Sequence, residues 1–170
     1  MRPATKKYNT QYKKRIVERD PYLPRRSPKG ILQCSGCGAF YVRRHWTLDP
    51  PSGLVSRVYV HPVFCPACTK LRQHYPGGEL RLIGFKMEDR GEIARILRNE
   101  EERARRKNPL EQIIWLHSKN GDWWVETTTE KLAQRLGRCL KKAKGGRLNY
   151  KWGHNNKFVR VLWEHKKPEA

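Results

Sequence analysis

Acidic residues are scarce in this chain: 16 aspartates and glutamates stand against 37 lysines and arginines in 170 residues, a formal net charge of +21. Long apolar runs are absent as well. The longest are a few residues, far short of the roughly 20 that a membrane-spanning helix needs, and the basic N-terminus has no apolar stretch of the signal-peptide kind. Hydrophobic residues make up only 37% of the chain, which excludes a large core and leaves room for segments that are solvated or ordered by a partner. There is no glycine-rich loop ending in Gly-Lys-Ser/Thr; Gly77-Gly78 and Lys144-Gly145-Gly146-Arg147 read as turns. An acidic cluster for two catalytic metals and a nucleophile with its base are both missing, and the six histidines are scattered. The chain therefore reads as non-enzymatic. A recognition helix of the helix-turn-helix type is also not discernible.

The base that dominates instead is unevenly placed. Residues 1–30 carry +8, residues 31–84 carry +4, residues 85–130 carry −1, and residues 131–170 carry +10. Nucleic acid is the partner such charge implies, because neutralised phosphates release condensed counterions. In residues 1–30 the aliphatics are few and four prolines interrupt the chain, so this stretch is expected to be a disordered basic arm. Its tyrosines, Tyr8, Tyr12 and Tyr22, interleave with Lys6, Lys7, Lys13, Lys14, Arg15, Arg25 and Arg26. Aromatic rings can stack on unpaired bases while the cations pair with phosphates.

The sharpest local signal is Cys34-Ser35-Gly36-Cys37 with Cys65-Pro66-Ala67-Cys68. Thiolates three positions apart on a tight turn can share one tetrahedral Zn²⁺, and the small residues between them allow that turn. Phe40-Tyr41-Val42 and Arg57-Val58-Tyr59-Val60 read as strands separated by the turn at Asp49-Pro50-Pro51-Ser52-Gly53. Together these predict a zinc ribbon with one closed, structural site made by Cys34, Cys37, Cys65 and Cys68. A disulfide pair, a redox CxxC and an iron–sulfur centre are the competing chemistries. The odd fifth cysteine fits a disulfide framework poorly, and a thioredoxin-like site needs one CxxC opening a helix rather than two in short turns. His61 is an alternative ligand. Arg43 and Arg44 on the ribbon are candidate nucleic-acid contacts, and Trp46 serves either that surface or the ribbon's core.

Past the turn Tyr75-Pro76-Gly77-Gly78 comes a short strand at Glu79–Gly84, then a helical pattern from about Glu88 to Lys107, charged nearly all round beyond Leu97 and ended by Asn108-Pro109. From Leu110 the order is strand, strand, helix, strand, strand. Asn120-Gly121 is a hairpin signal, Thr128 or Thr129 can cap a helix running to about Lys144, and Gly145-Gly146 ends it. Cys139 falls beside that helix's apolar stripe and reads as a small buried hydrophobe. Arg135, Arg138, Lys141, Lys142 and Lys144 lie off the stripe and lead into Arg147 and Lys151. No acidic residue interrupts 138–151, so these seven are expected to form a phosphate-binding patch.

The expected fold class is α+β, with a basic N-terminal arm (1–30), a zinc ribbon (31–84), a charged helix (85–109), a ββαββ domain (110–165) and a tail (166–170). Several phrases taken together carry a family resemblance: the two cysteine pairs, Tyr75-Pro76-Gly77-Gly78, Asn108-Pro109-Leu110, Thr127-Thr128-Thr129 before Leu132-Ala133, Gly146, Tyr150 and Val159-Arg160-Val161-Leu162-Trp163. Over about residues 34–163 the chain resembles short, mostly bacterial zinc-ribbon proteins whose C-terminal half is similar to part of the Nmd-type adaptor that escorts the large ribosomal subunit. That resemblance implies a cytoplasmic, ribosome-associated protein binding ribosomal RNA, in subunit maturation or in occupancy of idle ribosomes. A DNA-binding or transcription-associated zinc ribbon is the alternative that the charge and cysteines equally allow.

Overall fold

A computed structural model describes residues 30–51, 60–153 and 158–165. The described residues build two sheets and three α-helices. The smaller sheet has strands β1 (Ile31–Cys34), β2 (Phe40–Val42), β3 (His45–Thr47) and β4 (Val60–Val63) in the order β3-β2-β1-β4, with β4 parallel to β1. Helix α1 (Pro66–Gln73) follows β4 directly. β2 is joined to β3 by a two-residue turn in which Arg43 and Arg44 both take left-handed backbone angles, φ 47° and 69°. Of the strand expected at 57–60, Val60 is the first described residue of β4, and Arg57 to Tyr59 lie outside the described residues.

The larger sheet has the order β6-β7-β5-β9-β8, built from β5 (Gly78–Ile83), β6 (Ile113–Lys119), β7 (Asp122–Thr127), β8 (Arg147–Trp152) and β9 (Val159–Glu164). The expected ββαββ unit is thus incomplete without β5, the strand expected inside the ribbon segment 31–84. β5 pairs antiparallel with β7 and parallel with β9, and is the neighbour through which the two hairpins become one sheet. Along β5, β7 and β9 every second residue is buried, the period-2 signature of a sheet with one covered face.

That face is covered by α3 (Glu130–Lys144), on which α2 (Arg90–Lys107) packs in turn. The core between them holds Leu80, Leu82, Val125, Leu132, Leu136, Leu140, Val159, Val161 and Trp163, with Ile93, Leu97 and Ala104 supplied by α2. Local signals act as expected. Thr129 Oγ1 accepts from Leu132 N at 3.2 Å to cap α3, Asn120 and Gly121 supply the positive φ of the hairpin turn, and Asn108 ends α2.

Gly77 and Gly78 serve close approach. A Cβ on Gly77 would stand 2.5 Å from the Thr128 carbonyl oxygen, and one on Gly78 would stand 2.9 Å from Ala133 Cβ. The cysteine-bearing unit meets the larger one beside this point through α1. Lys70 Nζ donates to the Thr128 carbonyl at 3.1 Å, the His74 ring meets the edge of Trp115, and Leu110 packs against the cysteine-bearing core. Among the described residues no helix is long and apolar enough to cross a membrane.

Candidate metal centre and basic surface

The four thiols of Cys34, Cys37, Cys65 and Cys68 converge, with every sulfur within 4.8 Å of the others. Cys37 Sγ and Cys65 Sγ are 3.7 Å apart, too far for a disulfide, whose sulfurs lie about 2.05 Å apart. Thiolates bound at about 2.3 Å around a tetrahedral ion would be separated by about 3.8 Å, so the cluster has the dimensions of a Zn²⁺ site. Backbone amides point at the sulfurs: Gly36 N and Cys65 N donate to Cys34 Sγ at 3.4 and 3.2 Å, and Cys68 N donates to Cys65 Sγ at 3.4 Å. Such bonds orient thiolate ligands and soften their mutual repulsion.

The two pairs are presented differently. Cys34 ends β1 and Cys37 lies in the turn that follows, closed by Gly38 N donating to the Cys34 carbonyl. Cys65 is the N-cap of α1, Pro66 takes its first position and Cys68 completes the first turn. The second pair was expected in a short turn like the first. It opens a helix instead, where the positive end of the helix dipole favours negative sulfur. A Cβ on Gly36 would lie 2.9 Å from Cys68 Sγ, so only glycine lets the first turn close on the helix.

The acid–base behaviour of the cluster fits a cation site. The hydrogen bond from Cys65 holds the Cys37 thiol down at about 5, so one sulfur ionises readily. That same bond pushes Cys65 far up, and burial pushes Cys68 up to about 12. Thiols packed this closely resist ionising together unless a cation lies between them. Among the described residues, this core packs Cys34, Cys65 and Cys68 with Leu32, Ala39, Trp46 and Ala67, so the thiols lie inside it. Trp46 is buried against Tyr41, its ring used by the core and not by a contact surface. His61 is exposed on β4 and stands apart from the thiol cluster.

The basic residues fare unequally. Lys6, Lys7, Tyr12, Lys13, Lys14, Arg15, Arg25 and Arg26 lie outside the described residues. Arg43 and Arg44 are exposed at the β2–β3 turn. On α3, Arg138, Lys141 and Lys142 are exposed, but Arg135 and Lys144 are held within the chain. Arg135 Nη2 meets Glu100 at 2.8 Å and its Nη1 meets Glu111 at 3.3 Å. Lys144 pairs with Asp89 at 2.9 Å and also with Glu92. These contacts hold the Asp89 carboxyl below its ordinary value and the Lys144 ammonium above its own. Arg147 and Lys151 are exposed, yet their register partners Glu164 and Arg160 place them on the sheet face opposite α3. The expected seven-residue patch is therefore three cations on α3, two behind the edge strand and two spent on internal ion pairs.

What sequence reasoning missed lies on α2. The segment 85–130 is nearly neutral by count, but the fold sorts its signs. Glu100, Glu111, Asp89 and Glu92 turn to α3 cations, Asp122 pairs with Arg81 at 2.8 Å, and Glu101 accepts from Ile113 N at 2.8 Å. Arg95, Arg98, Arg106 and Lys107 are exposed, alongside the fewer exposed carboxylates of Glu88, Glu92 and Glu102. Ile93, Leu97 and Ala104 mark the buried side of this helix. A helical wheel drawn on them puts Arg95, Arg98 and Arg106, with Glu102 among them, on the opposite side from Glu100 and Glu101, while Lys107 lies on the line of Glu100 at the exposed C-terminal end. Half-buried Cys139 sits near Glu100, and burial raises its thiol. No protein-family model matches the chain, and neither a curated protein nor a solved structure matches it.

Proposed function

We propose that this chain is a non-enzymatic RNA-binding protein that associates with ribosomes in the cytoplasm, with one structural zinc ion held by Cys34, Cys37, Cys65 and Cys68. The observation that carries the reading is the sorting of charge. The carboxylates of Asp89, Glu100, Glu101 and Glu111 face inward onto Lys144, Arg135 and backbone, so the exposed side of the two packed helices carries Arg95, Arg98, Arg106, Lys107, Arg138, Lys141 and Lys142 against the exposed Glu92 and Glu102. A surface on which exposed cations outnumber exposed carboxylates this far is suited to a polyanion. Four thiolates would fill the shell of zinc and leave no position for water, so the ion supplies a crosslink for a ribbon-like module and no catalysis.

Ribosomal RNA is favoured over a short duplex because the cations are dispersed. They occur on the helices, at the Arg43-Arg44 turn, behind β8 and in residues 1–30, an arrangement that suits a large shaped RNA. The family resemblance points the same way. Sedimentation of a lysate through a sucrose gradient tests the proposal: the chain is expected to travel with ribosomes or one subunit at low salt and to leave them as salt rises. A profile confined to free protein, or to DNA, contradicts it.

A further inference from the structure

Tyr150 and Trp152 on the edge strand β8 are 39% and 47% exposed. Their register partners, Val161 and Val159, are buried beneath α3. Directly opposed residues of an antiparallel pair share a face, so both rings lie on the helix-bearing side of the sheet, just past the cover that α3 gives. Among the described residues no other ring stacks on either. From Lys131 to Gly153 the chain has eight basic residues and no acidic one. Arg135 and Lys144 are spent on carboxylates, while Arg138, Lys141 and Lys142 are exposed on α3, and Arg147 and Lys151 on the far face of β8.

We propose that this edge binds single-stranded RNA, with Tyr150 and Trp152 stacking on two unpaired bases and Arg138, Lys141, Lys142 and Lys151 holding the flanking phosphates. The assignment rests on the RNA-binding reading above and names the part of the surface that selects single strands. Two features commit it to this occupant. Residues two apart on a strand are about 6.7 Å apart, roughly twice the ~3.4 Å step between nucleotides of a stacked strand; bases reaching both rings must part from one another, as an open strand permits and a duplex does not. A protein strand added to β8 would meet five exposed cations, Arg138, Lys141, Lys142, Arg147 and Lys151, against the single exposed acid Glu164 opposite Arg147. A polyanion meets a complement on both sides of the strand, and stacking on its bases tolerates any sequence.

Anisotropy of a fluorescein-labelled 12-nucleotide oligo(U) RNA, compared with an RNA duplex of equal length, tests this on the full chain. Tyr150→Thr and Trp152→Thr keep strand propensity and remove the π face. Each is expected to weaken single-strand binding about tenfold, to leave duplex binding unchanged and to leave the salt dependence unchanged, because stacking releases no counterions. Trp152→Phe should retain most of the affinity, and Trp115→Thr, an exposed aromatic on the opposite sheet face, should lose none. Thermal melts of each variant confirm that these exposed substitutions leave the fold intact. Unchanged single-strand affinity in the Tyr150/Trp152 double variant overturns the assignment and leaves the edge as a protein-docking strand. Equal losses for duplex and single strand, or for Trp115→Thr, overturn it too. If the wild-type chain binds neither RNA, the broader RNA reading falls with it; if it binds both with steep salt dependence and only the aromatic variants are silent, the broader reading stands and this one fails.

Discussion

Arg135→Ala separates structural cations from RNA-facing ones. The guanidinium closes three hydrogen bonds, Nε and Nη2 to Glu100 Oε1 at 3.0 and 2.8 Å and Nη1 to Glu111 Oε2 at 3.3 Å. Glu100 and Glu111 side chains are 13% and 8% exposed. Removing one partner of a buried pair leaves uncompensated charge at a cost of about 3–5 kcal/mol. Arg135 itself is 24% exposed, so water can enter its place, and about 2–3 kcal/mol is the expected loss. Urea denaturation followed by circular dichroism should show a lower midpoint at an unchanged slope, with thermal unfolding earlier by about 6–12 °C. The exposed neighbour Arg138→Ala should do the reverse, with stability within about 0.5 kcal/mol of wild type and weaker RNA binding. A stability loss under about 1 kcal/mol for Arg135→Ala, or an RNA defect matching that of Arg138→Ala, would refute the division.

Elemental analysis of purified protein should find one zinc per chain, and Cys65→Ser should lose it together with the fold of the smaller sheet; an iron chromophore would contradict the assignment. Gly36→Ala forces a Cβ to 2.9 Å from Cys68 Sγ, so competition with a chromophoric chelator should show zinc affinity lowered by about tenfold or more. Gly137→Ala sets two effects against each other. Helix propensity gains about 1 kcal/mol, but the new Cβ would stand 2.8 Å from Val161 Cγ1 and 2.9 Å from Leu148 Cδ1, and overpacking costs about 1–3 kcal/mol. Net destabilisation of about 1 kcal/mol in urea is expected, and a stabilised variant would count against the packing described. Lys144 lowers the Asp89 carboxyl, so the pair's contribution is complete above the ordinary aspartate range near pH 3.9 and is lost as pH falls through the lowered folded value. Carboxyl titration by NMR should move the Asp89 midpoint upward in Lys144→Gln, and an unmoved midpoint would deny the contact.

Where structure is decided locally, it was legible. Asn120-Gly121 specified its hairpin, Thr129 the start of α3, Asn108-Pro109 the end of α2, and the cysteine spacing the thiol cluster. The β2–β3 turn was not, because Arg43 and Arg44 take left-handed angles that such residues rarely adopt. Pro66 at the first position of α1 was an available sign that the second cysteine pair opens a helix. β5 was placed with the wrong neighbours since its partners Val125 and Val161 lie 45 and 81 residues downstream of Leu80. Charge sorting is equally non-local. Glu100 finds Arg135 across 35 positions, and Asp89 finds Lys144 across 55. Net charge by segment cannot show which signs the packing of α2 on α3 will hide.

If the exposed cations of α2 and α3 hold RNA phosphates, affinity must depend on salt through those side chains. Binding of a single-stranded RNA should weaken linearly on a double-logarithmic plot against salt, and replacing Arg138, Lys141 and Lys142 together by Gln should make that slope shallower by about 2, at roughly 0.7 per phosphate contact. Affinity at moderate salt should fall by at least about tenfold. An unchanged slope and affinity in this triple variant would contradict the account.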